Sequence, residues 1–292
     1  MSQPRPRQGV AAREDLAAAL ERHRDHHFRR TPARRVTDER SALAFINASG
    51  FCAAFTAGLG VPCLREAIEG RREPELPHHI QHDRAIMMTW RLKDELPARG
   101  AVYYGKVIAG RPGFVALELL PAFLRLRIVA GGYRRLYSRG LLSHCAKLAM
   151  DTLSSNGPTE TKALKISSGY AQAGRRAEFD RAIKELQEKF LAFKVEERYD
   201  PFTYVWDTVE HRWAGALREA RALSPSAAAD HLVRGYFAVA GFGHERAIAR
   251  ILGITPDQVE AAAVRLERAG FIRRHQRVAG IPLTISRLTI FD

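Results

Sequence analysis

The 292-residue sequence has only three cysteines, Cys52, Cys63 and Cys145. They are too few and too scattered for a disulfide framework, and they lack the paired spacing of a zinc site. No apolar run approaches the roughly 18 residues that would suggest a membrane span. The N-terminus lacks the apolar core of a secretory signal. A reducing cytoplasm is the expected setting, with no membrane partner. No glycine-rich phosphate loop, nucleophile elbow or Cys-x-x-Cys is present. Two histidine groups, His23, His26 and His27, and His78, His79 and His82, come without cysteines or a second compact ligand set. Solvated histidines are therefore preferred over a metal, and no cofactor is expected.

Acidic residues are also in short supply. Thirty-two acids face 46 lysines and arginines, a net charge of +14 with a pI near 10.2. A polyanion partner is favoured, nucleic acid before membrane. The excess is uneven. Residues 101–150 hold Lys106, Arg111, Arg125, Arg127, Arg134, Arg135, Arg139 and Lys147 against Glu118 alone, half of the net charge in about a sixth of the chain. Charge alone does not choose DNA over an RNA or ribosome surface.

The hydrophobic pattern is most regular between Gly140 and Asp207. An apolar-periodic helix spans Leu141 to Leu153, and a short polar one spans Thr159 to Ile166. A third, Arg176 to Phe190, places Phe179, Ile183, Leu186 and Phe190 on one face. Two alternating runs then form a hairpin, Leu191 to Val195 and Phe202 to Trp206, around Arg198-Tyr199-Asp200-Pro201. Three helices and a hairpin in this order are the winged-helix plan, in which the third helix usually lies in a DNA groove. That helix carries Arg175, Arg176, Arg181 and Lys184, with Lys162 and Lys165 just upstream. Its glutamates also permit a plain solvated face of mixed charge.

Similar units flank this one. Residues 1–40 read as a basic, partly ordered arm. Residues 41–126 read as a first module, with helices at Ser41–Asn47, Val61–Glu69 and Asp83–Glu95. Its hairpin strands turn at Gly110-Arg111-Pro112-Gly113. Residues 127–213 hold the second module, preceded by a connector in which Arg134 and Arg135 interleave with tyrosines, a pattern suited to backbone binding with stacking. Residues 214–292 form a third. There Thr255-Pro256-Asp257-Gln258 supplies a helix start of cap, proline and capping-box glutamine. Arg265 and Arg268 on that helix, with Arg273 and Arg274 in its hairpin, are candidate phosphate contacts, although winged helices also bind proteins. The expected fold class is mainly α with small β-hairpins (α+β), built of three tandem winged-helix modules.

The stretch from Phe45 to Trp213 resembles the AlkZ-related proteins of the winged-helix DNA glycosylase superfamily (AlkZ and YcaQ type). The matching residues are Phe51-Cys52, His82-Asp83, Thr89-Trp90-Arg91-Leu92-Lys93-Asp94, Val102-Tyr103-Tyr104-Gly105-Lys106 and Leu119-Leu120-Pro121-Ala122-Phe123. Gly157-Pro158 and the run from Phe179 to Gln187 complete the set. The resemblance implies a tandem winged-helix architecture wrapping duplex DNA, and a link to repair of alkylated or crosslinked bases. The active glycosylases carry a glutamine–apolar–glutamine or glutamine–apolar–aspartate motif in the first module. The equivalent stretch here, Gly50 to Phe55, has neither glutamine nor acid.

Releasing an alkylated base needs a carboxylate or amide that holds water and stabilises the sugar cation. Asp83, Asp94 and Gln81 are the candidates near one helix. Trp90 and Tyr104 could stack, and Lys93 and Lys106 could meet phosphate. Asp94 also fits a surface ion pair and Trp90 a core position. Two functions remain open. One is a DNA-repair protein of glycosylase type, active or reduced to lesion binding. The other is a non-enzymatic winged-helix regulator or DNA-structural factor. Three modules without a coiled-coil repeat favour a monomer embracing one duplex, in association with the nucleoid.

Overall fold

A computed structural model describes residues 8–75, 79–128 and 132–287. His78 and Gly131 lie outside the described residues, as does the side chain of Gln81. Helix α1 (Gln8–His27) leads into a first unit of α2 (Glu39–Ser49), β1 (Phe51–Ala53), α3 (Leu64–Glu69), α4 (Arg84–Ala98), β2 (Val102–Ile108) and β3 (Arg111–Ala116). Helices α5 (Leu120–Arg127) and α6 (Gly132–Ser138) lead to the second unit. It consists of α7 (His144–Asn156), β4 (Thr159–Glu160), α8 (Thr161–Ser167), α9 (Arg176–Glu188), β5 (Ala192–Tyr199) and β6 (Phe202–Thr208). Helices α10 (Val209–Arg212) and α11 (Ala214–Ala222) follow. The third unit is α12 (Pro225–Ala240), β7 (Phe242–Gly243), α13 (Glu245–Leu252), α14 (Pro256–Arg268), β8 (Ile272–Val278) and β9 (Ile281–Ser286).

Helix, short strand, two helices and a hairpin thus occur three times. In each unit the last strand pairs antiparallel with both others, giving the orders β1-β3-β2, β4-β6-β5 and β7-β9-β8. The class is α+β with small antiparallel sheets. Among the described residues no helix is long and apolar enough to cross a membrane.

Local signals set many of the element ends. Thr255 and Gln258 form a reciprocal capping box at α14, with Pro256 in the first turn. Asp38 and Ser41 do the same at α2. The second helix of the first unit begins at Leu64, not at Val61. The reason is that the Pro62 carbonyl accepts from the Ala53 N–H (2.8 Å), and Cys63 bridges Ala53 in parallel, so this segment is held extended against β1. The hairpin of that unit turns at Ala109 and Gly110, two positive-φ positions (50° and 70°). That pair suits the twist of a two-residue hairpin turn and leaves Arg111 and Pro112 inside β3.

The first and second units have their own apolar cores, but the largest core lies between units. Tyr103 stacks on Phe190 with ring centroids 5.0 Å apart, and Phe123 and Trp213 close around them. Phe190 was expected on the inner face of α9. That helix ends at Glu188, and a φ of 53° turns Phe190 away into the shared core. Arg127, at the end of α5, completes the joint. Its Nη1 donates to the carbonyl of Glu188 (3.0 Å). Its Nη2 donates to those of Val107 (3.0 Å) and Leu252 (2.7 Å), one bond to each unit. Burial holds its pKa down to about 10.

Residues 16–28, read from the sequence as having little to bury, dock on the third unit mainly through polar groups. Arg24 Nε donates to the Ala240 carbonyl (2.9 Å) and Nη2 to that of Phe242 (3.1 Å), while its guanidinium lies over the Phe242 ring. Leu20 supplies an apolar anchor against Val278 and Ile285.

Candidate nucleic-acid interface

A cleft of about 740 Å³ opens between the first and second units. One wall is α4 with the β2–β3 hairpin, and the other is α8, α9 and the β5–β6 hairpin. Helical spacing explains the second wall. Arg176, Asp180, Lys184 and Gln187 recur at intervals of three and four along α9 and so share a stripe. The neighbouring stripe, Phe179, Ile183 and Leu186, is buried in the second unit's core. Among the described residues seven cations line the cleft: Lys93, Lys106, Lys162, Lys165, Arg176, Lys184 and Lys194. Two acids join them, Asp180 and Glu197.

Phe202, Tyr204 and Trp206 form part of the lining, and Tyr199 continues their row beyond it. From the tip of the β5–β6 hairpin inward, Tyr199, Phe202, Tyr204 and Trp206 succeed one another with centroids 5.9, 5.1 and 5.8 Å apart. Trp206 is locked at the inner end, because its Nε1–H donates to Thr161 Oγ1 (2.9 Å), which itself donates to the Tyr204 carbonyl (3.1 Å). At the outer end Phe202 is 58% exposed.

The two walls meet in an ionic cluster. Lys93 Nζ donates to Asp94 Oδ1 (2.9 Å) and Glu197 Oε1 (2.6 Å). Lys194 Nζ donates to the same Asp94 oxygen (3.0 Å) and to Glu197. The single Tyr199 hydroxyl proton is shared between Asp94 Oδ2 (2.9 Å) and Glu197 Oε2 (3.1 Å). The Lys93 pKa is raised; burial opposes its charge, but the bonds to Glu197 and Asp94 outweigh that. Burial lowers that of Lys194, with its bond to Glu197 in opposition and the Lys93 charge in support. Glu197 is lowered, since the two lysine contacts outweigh its burial. Burial, then the bond to Asp94, raises the Tyr199 phenol.

The structure separates the residues singled out in the sequence. Lys93, Tyr104, Lys106, Lys162, Lys165, Arg176 and Lys184 come together in the cleft. Asp94 sits beside it in the ionic cluster. Asp83 is the N-cap of α4, accepting from the Ile86 N–H (2.7 Å). Gln81 lies in a 3-10 turn, Ile80–His82, ahead of that cap. Trp90 is 40% exposed and does not line the cleft. Arg111, Arg134, Arg135, Arg175 and Arg181 are exposed outside it, with Arg175 bonded to Glu178 (3.1 Å). In the third unit Arg265 grips Asp230 through Nε (2.9 Å) and Nη2 (2.7 Å). Arg274 is engaged by Glu260 and Glu267, Arg273 is on β8, and Arg268 is exposed at the end of α14.

The sequence did not point to Lys194, Glu197, Tyr199 or Thr161. Strict strand alternation would put Lys194 and Glu197 on opposite faces of β5. A β-bulge between Lys194 and Glu196 brings them to the same one. Within the stretch equivalent to the glycosylase motif, Gly50 to Phe55, the residues Phe51 to Ala54 are completely buried, and Phe51–Ala53 form a strand that offers no polar side chain to a substrate. Burial raises the Cys52 thiol well above its ordinary value.

Comparison with known proteins agrees with this architecture. The DNA glycosylase AlkZ of Streptomyces sahachiroi superposes on 96% of this chain and 70% of its own, with a TM-score of 0.59 and 12% sequence identity. No curated protein sequence matches. A family model described as AlkZ related matches residues 36–253, the greater part of the chain. The protein belongs to the AlkZ-related family.

Proposed function

We propose that this protein binds duplex DNA along the cleft between its first two units and acts in the repair of alkylated or crosslinked bases. The observation that carries the proposal is the cleft itself, with seven cations against two acids beside a ladder of aromatic rings. Lysines and arginines at such a density suit tracking of a phosphate backbone, and the rings suit stacking on a displaced base. The three units are read as winged helices that act together in one monomer. Lys162, Lys165, Arg176 and Lys184 contact phosphate from the second unit and Lys106 does so from the first, whereas Lys93 is held by Asp94 and Glu197. Arg134 and Arg135 extend the track, while Arg265 and Arg274 are engaged within the fold.

The likeness to a protein titled a DNA glycosylase supports the repair reading. If a base is excised, the group that holds water is Asp94, which joins the ionic cluster beside the cleft, rather than Asp83, which caps the start of α4. A second reading, lesion binding without excision, is favoured by the burial of Phe51 to Ala53 and by the two lysines that neutralise Asp94 and Glu197. Base release from alkylated and crosslinked duplexes, beside an undamaged control, separates the two. Release that survives in Asp94→Asn would remove Asp94 from the chemistry. No release from any lesion, with binding intact, would establish the second reading. Absence of duplex binding would end both.

A further inference from the structure

We propose that the ε-amine of Lys194 forms an imine with the open-chain aldehyde of an abasic deoxyribose, making the cleft a site for processing abasic DNA. This rests on the proposal that the cleft takes DNA. Lys194 lines that cleft, between the rings of Tyr104 (5.5 Å) and Tyr204 (5.4 Å). Two lysines share two carboxylates there, and Lys93 alone already bridges Asp94 and Glu197. The joint between α4 and β5 therefore has its cation without Lys194, which is a second amine beside the first. A lysine desolvated next to another cation is the arrangement that makes an amine nucleophilic. Burial lowers the Lys194 pKa in keeping with this.

The groups needed for the proton transfers are in place. Lys194 Nζ touches Glu197 Oε1 directly, so one proton passes from the ammonium to the carboxylate. The neutral amine attacks C1′ of the aldehyde. The carbinolamine loses water, which carries off the proton from Glu197, and leaves a protonated imine. Glu197 then takes a proton from C2′. The C2′–H electron pair forms the C2′=C3′ double bond, the C3′–O bond breaks, and the 3′ phosphate leaves with that bond's electron pair. Hydrolysis of the imine returns the amine. No oxidant or reductant takes part.

The test uses the full chain with a duplex carrying one abasic site. Sodium borohydride reduces an imine to a stable amine, which appears as a DNA-linked protein band, and peptide mass mapping locates the attachment. Binding to the same duplex is measured in parallel by fluorescence anisotropy. The expected result is a trapped complex attached at Lys194. It should be abolished in Lys194→Arg at protein concentrations that still occupy the duplex. Glu197→Gln should lower strand cleavage more than it lowers trapping. Attachment at another amine, or no trapped complex on a fully occupied duplex, would overturn the imine while leaving DNA binding intact. Failure to occupy any duplex would instead overturn the DNA reading, and this inference with it. Mapping on the unmodified protein decides the matter even if the variants do not fold.

Discussion

The second and third units share one order of elements and one strand order, yet they use their cations differently. On α9 and α8, Lys162, Lys165, Arg176 and Lys184 line an open cleft, Arg176 and Lys184 meeting only exposed acids of their own helix, Asp180 and Glu188, at 3.6 Å. On α14 and β8, Arg265 and Arg274 are drawn onto Asp230, Glu260 and Glu267. The third unit is also clamped, by α1 through Arg24 and by α5 through Arg127. Cation count alone therefore does not locate a binding surface. What matters is how closely acids of the same fold already hold the cations.

The largest expected effect belongs to the open side. Lys162→Ala, Lys165→Ala and Lys184→Ala together should weaken duplex binding by about a hundredfold at 0.15 M salt, since each lost phosphate contact removes about 0.9 from the log–log slope. Arg265→Ala with Arg274→Ala should change binding by less than about threefold, because paired cations release few counterions. A comparable loss from both sets would abolish the contrast. Arg134→Ala with Arg135→Ala should fall between them and act alike on all sequences, as phosphate contacts position without specifying. Titration of duplexes of unrelated sequence checks this, and a loss confined to one sequence would mean that α6 reads bases.

The joint can be broken separately. Arg127→Ala leaves three carbonyls of three units without their donor and should destabilise the fold by about 3–5 kcal/mol. Gly253→Ala should act in the same direction. It would place a Cβ 1.8 Å from Arg127 Nη2, at a φ of +64° that disfavours any side chain. Chemical denaturation measures both, and wild-type stability in either would remove Arg127 as the common tie.

Much of this plan was legible in the sequence, for local reasons. The Thr255–Gln258 capping box and the face of Phe179, Ile183 and Leu186 are short-range patterns, and both are present. The lysines of α8 and α9 could be placed for the same reason. The remainder depends on departures from regular geometry and on contacts across the chain. The bulge in β5 aligns Lys194 with Glu197, and Phe190 leaves its helix face through one positive φ. Asp94 meets Lys194 and Tyr199 from 100 and 105 residues away, and Arg127 finds acceptors in three units. No periodicity encodes those pairings.

A separate effect, on stability alone, concerns His27 at the end of α1. Burial, then the nearby His23 charge, holds His27 down to about 4 from an ordinary 6.5. The unfolded chain therefore binds the proton first. Stability should rise with pH between about 4 and 6.5 and be lost as pH falls through that window. Melting temperatures across it should show this slope, and His27→Gln should flatten it. An unchanged slope would assign the effect to other groups.

The central claim is that the open cleft tracks a phosphate backbone, and the salt dependence of duplex binding by the intact protein tests it most directly. If six to eight phosphates are neutralised, the logarithm of the association constant should fall against the logarithm of salt with a slope of roughly −5 to −7. A slope shallower than about −2 would contradict an extended phosphate-tracking surface.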